Sequence, residues 1–233
     1  MNKILLIIPA YNEQDNILNT VNSIKKSKIK VDYIVINDGS TDETAQVCME
    51  NDINHINLVH NLGIGGAVQT GYKYALNNGY DIAVQFDGDG QHDIKYVDHL
   101  VNPIINENMD FVIGSRFIED KSQFKSTKIR QAGIKIISAL IRICTGKRIY
   151  DTTSGFRACN KQIIKEFAHD YPTEYPEPTS TVWLLKKHYK IKEIPVEMKE
   201  RKFGNSSIRK WKSLYYMVNV MLSIIVVSIR RYK

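Results

Sequence analysis

The sequence predicts an α/β fold in which a mostly parallel central sheet is flanked by helices. Three observations predict it. Short apolar runs alternate with helical patterns through the first half of the 233 residues. The runs are near-continuously apolar, as strands buried on both faces are. Polar, glycine-containing segments follow several runs directly, at the carboxyl ends of strands where open parallel sheets bind ligands.

Taken in order, Lys3–Ile8 is the first strand. It runs into Pro9 and is too short for a signal h-region, so no leader is expected there. Gln14–Ser27 has helical spacing, Asp32–Asn37 is the second strand, and Thr41–Asn51 the next helix, with Thr41 and Asp42 suited to cap it. Ile53–Val59, Ile82–Phe86 and Phe111–Ser115 are further strands, separated by helical patterns at Gly65–Asn78 and Ile94–Glu107. The second half is less regular. Lys128–Thr145 is an amphipathic helix carrying Arg130, Lys135 and Arg142, and Asp170–Pro178, rich in Tyr, Pro and Glu, reads as a loop. No internal repeat or flexible linker is evident.

The composition, 43% hydrophobic and 24% charged, is that of a globular chain long enough to bury a substantial core. Three widely spaced cysteines show no zinc or redox spacing and read as reduced thiols of a cytosolic protein. The net charge of +7 is concentrated at the end: residues 183–233 hold 13 Lys/Arg against 3 Asp/Glu. Leu214–Ile229 carries no formal charge and is flanked by Arg209, Lys210, Lys212 and by Arg230, Arg231, Lys233. As a helix it spans roughly 24 Å, short of the ~30 Å hydrocarbon core. Lys212, Tyr216, Asn219, Ser223 and Arg230 fall along one stripe of an otherwise apolar surface, which favours a helix in the membrane interface. A core or dimer-forming helix is the alternative. Nucleic acid is disfavoured, because no reading motif accompanies the basic tail.

The most informative stretch is Asp87-Gly88-Asp89-Gly90-Gln91 at the end of the fourth strand. Glycine lets the backbone bend so that both carboxylates point into one cavity. Hard oxygen donors at this spacing suit Mg²⁺ or Mn²⁺, which bind through one or two carboxylates plus substrate phosphates. A solvated turn uses the same residues.

Together with Pro9-Ala10-Tyr11-Asn12-Glu13, Asn37-Asp38-Gly39-Ser40-Thr41-Asp42 and Asn61-Leu62-Gly63-Ile64-Gly65-Gly66-Ala67, this stretch resembles family 2 glycosyltransferases of the GT-A fold. The second half resembles the polyprenyl-phosphate subgroup, like dolichol-phosphate mannose synthases. Gly114-Ser115-Arg116-Phe117, Asp151-Thr152-Thr153-Ser154-Gly155-Phe156-Arg157 and the Arg201 to Ser206 segment match its motifs. Ser207 stands where the subgroup often has Lys, and the two long spans of some bacterial members are not in this sequence.

The resemblance implies a catalytic domain over residues 1–207, with a membrane-interface or oligomerisation helix over 208–233. It implies a UDP-sugar donor, GlcNAc or Glc favoured, and a polyprenyl phosphate acceptor such as undecaprenyl phosphate. Transfer would invert the anomeric centre at the cytoplasmic face of the membrane. Asp87, Asp89 and Gln91 would hold Mg²⁺ or Mn²⁺. Asp38 would meet the base, Tyr11 stack near it, and Glu13 meet the ribose. Pro9, Gly65, Gly88, Ser154 and Glu177 would complete the donor site. Arg116, Arg130 and Arg157 would fork onto the acceptor phosphate, and Arg201 would close over the donor. A small membrane-protein partner and a homo-oligomer are further expectations. The alternatives are transfer to a glycan hydroxyl, or a non-catalytic nucleotide-sugar-binding membrane module.

Overall fold

The computed structural model describes residues 2–118, 128–198 and 212–230. The described chain runs β1 (Ile4–Ala10), α1 (Ile17–Lys25), β2 (Asp32–Asn37), α2 (Thr44–Glu50), β3 (His55–Asn57), α3 (Gly63–Asn77) and β4 (Ile82–Gln85). After a 3₁₀ turn it continues with α4 (Val97–Asn106), β5 (Phe111–Ser115) and α5 (Lys128–Thr145). It ends with β6 (Arg157–Asn160), α6 (Lys161–His169), α7 (Pro176–Lys186), β7 (Ile191–Pro195) and α8 (Lys212–Ile229).

The strands form one sheet in the order β3-β2-β1-β4-β6-β5-β7. β1 pairs in parallel with β2 on one side and β4 on the other, so the strand order reverses at β1, and the ends of β1 and β4 are where open α/β sheets place a ligand crevice. β6 runs antiparallel to both of its neighbours. Its amino-terminal end therefore meets the rim where the parallel strands finish, and residues 151–156 join that rim.

Alternation along β1 explains its unbroken apolar run. Leu5 and Ile7 enter the core built with Val68, Tyr72, Phe167 and Val182, while Leu6 and Ile8 enter the opposite one with Ile17, Val21, Leu100 and Phe156. Both faces of the sheet are covered, as the run implies.

Four elements of the second half were not legible as such: β6, α6, α7 and β7. The expected loop over Asp170–Pro178 is cut short, because α7 begins at Pro176. Tyr175 takes a left-handed φ of 50° and Pro176 occupies the first helical turn, where a missing N–H costs nothing.

α8 packs against α5 and α7. Val220 and Ile224 are fully buried in the core, and Met217 closes over Gly133 of α5. The opposite side exposes Val218, Leu222, Ile225, Val226 and Ile229. Of the expected polar stripe, Asn219 and Ser223 are half-buried and Arg230 is exposed. Among the described residues, no helix is long and apolar enough to cross a membrane.

Candidate active site at the β1–β4 crevice

Two loops form one lip of the crevice. After Pro9 and Ala10 the chain turns at Asn12, whose φ is 55°. Tyr11 is left 47% exposed beside it. Asn12 donates its N–H to Ser40 Oγ at 2.9 Å, and its Oδ1 accepts the N–H of Thr41 at 2.9 Å. Asp42 Oδ1 accepts the N–H of Thr44, the first residue of α2, at 3.0 Å, so it makes the expected capping contact. Thr41 is instead held by Asn12.

Glu13 is buried, with its carboxylate accepting from Asn16 Nδ2 at 2.7 Å and its N–H donating to Thr44 Oγ1 at 2.9 Å. Asp38 is also buried, and its Oδ1 accepts the Leu62 N–H at 2.7 Å. Burial raises its carboxyl above the ordinary aspartate value, while the N–H groups of Leu62 and Gly63 pull it back.

The other lip is the turn after β4. Gly88 donates its N–H to Pro9 O at 3.3 Å and its carbonyl accepts from Thr20 Oγ1 at 3.1 Å, which ties the turn to β1 and α1. The Gln91 N–H meets Asp89 Oδ1 at 3.0 Å. The Asp87 N–H donates to His92 Nδ1 at 3.0 Å, and Gln85 Nε2 donates to Asp87 Oδ1 at 3.3 Å. The Asp87 side chain is 33% exposed, and Asp89 and Gln91 are half-buried. Among the described residues no three His, Cys, Asp or Glu side chains converge as a metal cluster. Two carboxylates and one amide side chain on this turn are donors of the kind that would fit a hard cation completing its shell with phosphate oxygens.

His92 was not singled out from the sequence. It is almost wholly buried, stacked on Phe156 with ring centroids 4.5 Å apart, and set against the edge of Phe86. Burial lowers its basicity below the ordinary 6.5, against the opposing pull of Asp87 and Asp89.

The arginines occupy different places from those expected. Arg116 forks onto Asp151, with Nε 2.7 Å from Oδ2 and Nη2 2.8 Å from Oδ1. Asp151 is wholly buried, and its N–H is held by Glu193 Oε1 at 2.8 Å. Arg157 is 1% exposed. Its Nε donates to the Ser154 carbonyl at 2.5 Å, and its Nη1 to the Glu177 carbonyl at 2.7 Å and Ser180 Oγ at 3.1 Å. Arg157 thus lies behind the site wall, and the expectation that it forks onto an acceptor phosphate is corrected. Arg130 lies in the first turn of α5, with its side chain outside the described residues. Arg201 and its loop also lie outside them.

Ser154 is buried, its hydroxyl accepting the Phe156 N–H at 3.3 Å. Gly65 faces the backbone of Pro172 and Thr173, where a Cβ would sit 2.4 Å from Pro172 O. The close approach expected at Gly65 is therefore made by the protein's own loop. Glu177 lies in the first turn of α7, half-buried. Burial raises its carboxyl, Arg157 and Arg116 lower it, and Asp87 raises it, so these charges share one electrostatic neighbourhood.

Comparisons with known proteins bear on the family and the fold. Residues 5–168 match the family described as Glycosyl transferase family 2. The UDP-N-acetylglucosamine--dolichyl-phosphate N-acetylglucosaminyltransferase of Methanococcus voltae is 34% identical, over 83% of this chain and 84% of that protein. The polyprenol monophosphomannose synthase of Mycolicibacterium smegmatis is 26% identical, over 88% of this chain and 80% of that protein. Glucosyl-3-phosphoglycerate synthase of Mycobacterium tuberculosis, solved with Mn²⁺, UDP-glucose and phosphoglyceric acid, superposes with a TM-score of 0.71. It is 15% identical, with 100% of this chain and 82% of that one covered, and shares the fold. The chain belongs to glycosyl transferase family 2.

Proposed function

We propose that this glycosyltransferase moves a sugar, GlcNAc or Glc, from a UDP-linked donor to a polyprenyl phosphate, undecaprenyl phosphate in particular. The reaction inverts the anomeric carbon and takes place at the cytoplasmic face of the membrane. The observation that carries this reading is the juxtaposition of the Asp87–Gln91 turn with the Tyr11 and Asp38 lip across the β1–β4 crevice. It is supported by relatives whose names specify dolichyl-phosphate and polyprenol acceptors, and by a protein of the same fold that holds Mn²⁺ and UDP-glucose.

In this reading Asp87, Asp89 and Gln91 hold Mg²⁺ or Mn²⁺, which when bound neutralises charge on the departing nucleotide diphosphate. Asp38 and Tyr11 receive the base, Glu13 faces the ribose, Pro9, Gly88 and Ser154 shape the crevice wall, and Glu177 faces the sugar. A phosphate acceptor is already anionic and needs no base to remove a proton. It needs cations to hold it against the electrostatic repulsion of the donor. Arg130 and Arg201 are proposed for the acceptor and donor phosphates, with Arg116 contributing from its pair with Asp151.

The catalytic unit is proposed to be 1–207, with 208–233 as its membrane-facing flank. The exposed apolar side of α8, with Ile136 and Ile143 exposed on α5 and Arg230 at the α8 end, supports a lipid-interface role. A second copy or a small membrane protein is proposed to cover the part of that side not in lipid.

The test is partition of radiolabel. With labelled UDP-GlcNAc or UDP-Glc, Mn²⁺ and undecaprenyl phosphate, label enters the organic phase only when the lipid is present. Label transferred only to a glycan hydroxyl acceptor rejects the reading.

A further inference from the structure

A metal-binding carboxylate on an exposed turn has two side-chain torsions to lose before it can bind, so something must hold it. Asp89 is oriented by the Gln91 N–H of its own turn. Asp87 is held instead by residues from outside the DxD triplet. Its N–H donates to His92 Nδ1 at 3.0 Å, which requires Nδ1 to be unprotonated and leaves the ring proton of the neutral imidazole on Nε2. Nε2 lies 3.5 Å from Asp87 Oδ2. The imidazole therefore faces the main chain of Asp87 with one nitrogen and its carboxylate with the other. The ring is itself locked between Phe156, stacked at 4.5 Å, and the edge of Phe86 at 5.5 Å.

A second neighbour of the same carboxylate is Gly155, one residue before Phe156. A Cβ on Gly155 would lie 3.0 and 3.2 Å from the two Asp87 oxygens and 2.8 Å from Gln85 Nε2, the group that donates to Asp87 Oδ1. Antiparallel β6 brings this segment to the rim, with Gln85 and Arg157 opposed in register. The Asp87 carboxylate thus lies beside His92, Gln85 and the bare backbone of Gly155, and its side chain is still 33% exposed.

We infer that His92 and Gly155 are positioning residues that hold the Asp87 carboxylate in its cation-binding orientation before donor or cation arrives. The inference rests on the reading that Asp87 and Asp89 hold a divalent cation, and it assigns the work of presenting one of them to a residue outside the triplet and to a segment distant in the chain. Partners of this kind set metal affinity by about 10–100-fold elsewhere.

The test is Mn²⁺ binding followed by the electron paramagnetic resonance signal of free Mn²⁺, in the presence of UDP. Circular dichroism monitors the fold in parallel. His92→Phe keeps the stacked ring and removes both nitrogens, and its Mn²⁺ dissociation constant is expected to rise about ten-fold or more. His92→Gln, which keeps an acceptor and a donor, is expected to restore most of the affinity. A general packing role would not produce that rescue. Gly155→Ala crowds the carboxylate directly and is expected to weaken Mn²⁺ similarly, so it decides the question should His92→Phe fail to fold. Wild-type affinity in a folded His92→Phe, or in Gly155→Ala, overturns the inference alone. Wild-type protein that takes up no Mn²⁺ with UDP overturns the metal reading and the inference together.

Discussion

Arg116 holds Asp151 through two parallel hydrogen bonds of 2.7 and 2.8 Å, and this wholly buried carboxylate also accepts the Arg116 N–H at 3.0 Å. The pair welds the end of β5 to the segment that leads into β6. Removing one partner strands the other as an uncompensated buried charge. Asp151→Ala is therefore expected to cost about 3–5 kcal/mol, read as a lower urea midpoint at unchanged slope.

Arg157 makes a contrasting prediction. Its guanidinium bridges the carbonyls of Ser154 and Glu177 from behind the wall. Arg157→Lys cannot span both acceptors and should lower stability by about 1.5–3 kcal/mol, the scale of a hydrogen bond to a charged group. At a temperature where the variant stays folded, its KM for lipid phosphate should match wild type. A large rise in that KM would return Arg157 to the acceptor site.

Asp89 is expected to be indispensable to turnover and dispensable to the fold. A bound cation supplies several kcal/mol of charge stabilisation in the transition state, and each 1.36 kcal/mol is ten-fold in rate. Asp89→Ala should therefore lower kcat/KM by about two orders of magnitude or more, with the melting temperature of the metal-free protein unchanged within a few degrees. Retained turnover would remove Asp89 from its role.

Glu177 predicts a pH dependence. Burial raises its carboxyl above the ordinary 4.5 in the folded state. The folded protein then binds the proton more tightly than the unfolded chain does. The resulting stabilisation is complete below the ordinary value and is lost as pH rises through the folded one. Glu177→Gln removes this dependence. The stability of the variant relative to wild type should therefore grow as pH rises from about 4 towards 7, measured by urea unfolding across that range. A difference that shrinks with rising pH would contradict the assigned shift.

The two sides of α8 separate stability from association. Ile224 is fully buried, so Ile224→Ala should cost about 2–5 kcal/mol. Leu222 and Val226 are exposed, so changing both to Asp should leave unfolding nearly unaltered while reducing co-sedimentation with anionic vesicles. Undiminished vesicle binding by that double variant would assign the surface to a protein partner.

Much of the first half was legible because its signals are local. β1, β2, β4 and β5 lie close to where apolar runs ending in turns place them, and β3 is three residues, with Val59 beyond it exposed. The Asp87–Gln91 turn was legible for the same reason. The back of the site was not. Gln85 meets Arg157, and His92 meets Phe156, only because β6 inserts antiparallel beside β4, a long-range pairing with no local signature. Arg116 and Arg157 were expected on the acceptor phosphate, and sequence does not separate that role from an internal tie, since a guanidinium forks onto a carboxylate, a carbonyl or a phosphate alike. α8 was ambiguous because both of its faces are apolar, one turned to the core and one outward.

The central claim is transfer to a lipid phosphate at the Asp87–Asp89 turn. Mass spectrometry of the lipid extract after incubation with a panel of nucleotide sugars, Mn²⁺ and undecaprenyl phosphate tests it most directly. The account predicts a new lipid heavier by one hexose or N-acetylhexosamine, joined through a single phosphate and absent with Asp89→Ala. An unmodified lipid phosphate from wild-type protein that has turned over its donor onto another acceptor would contradict it.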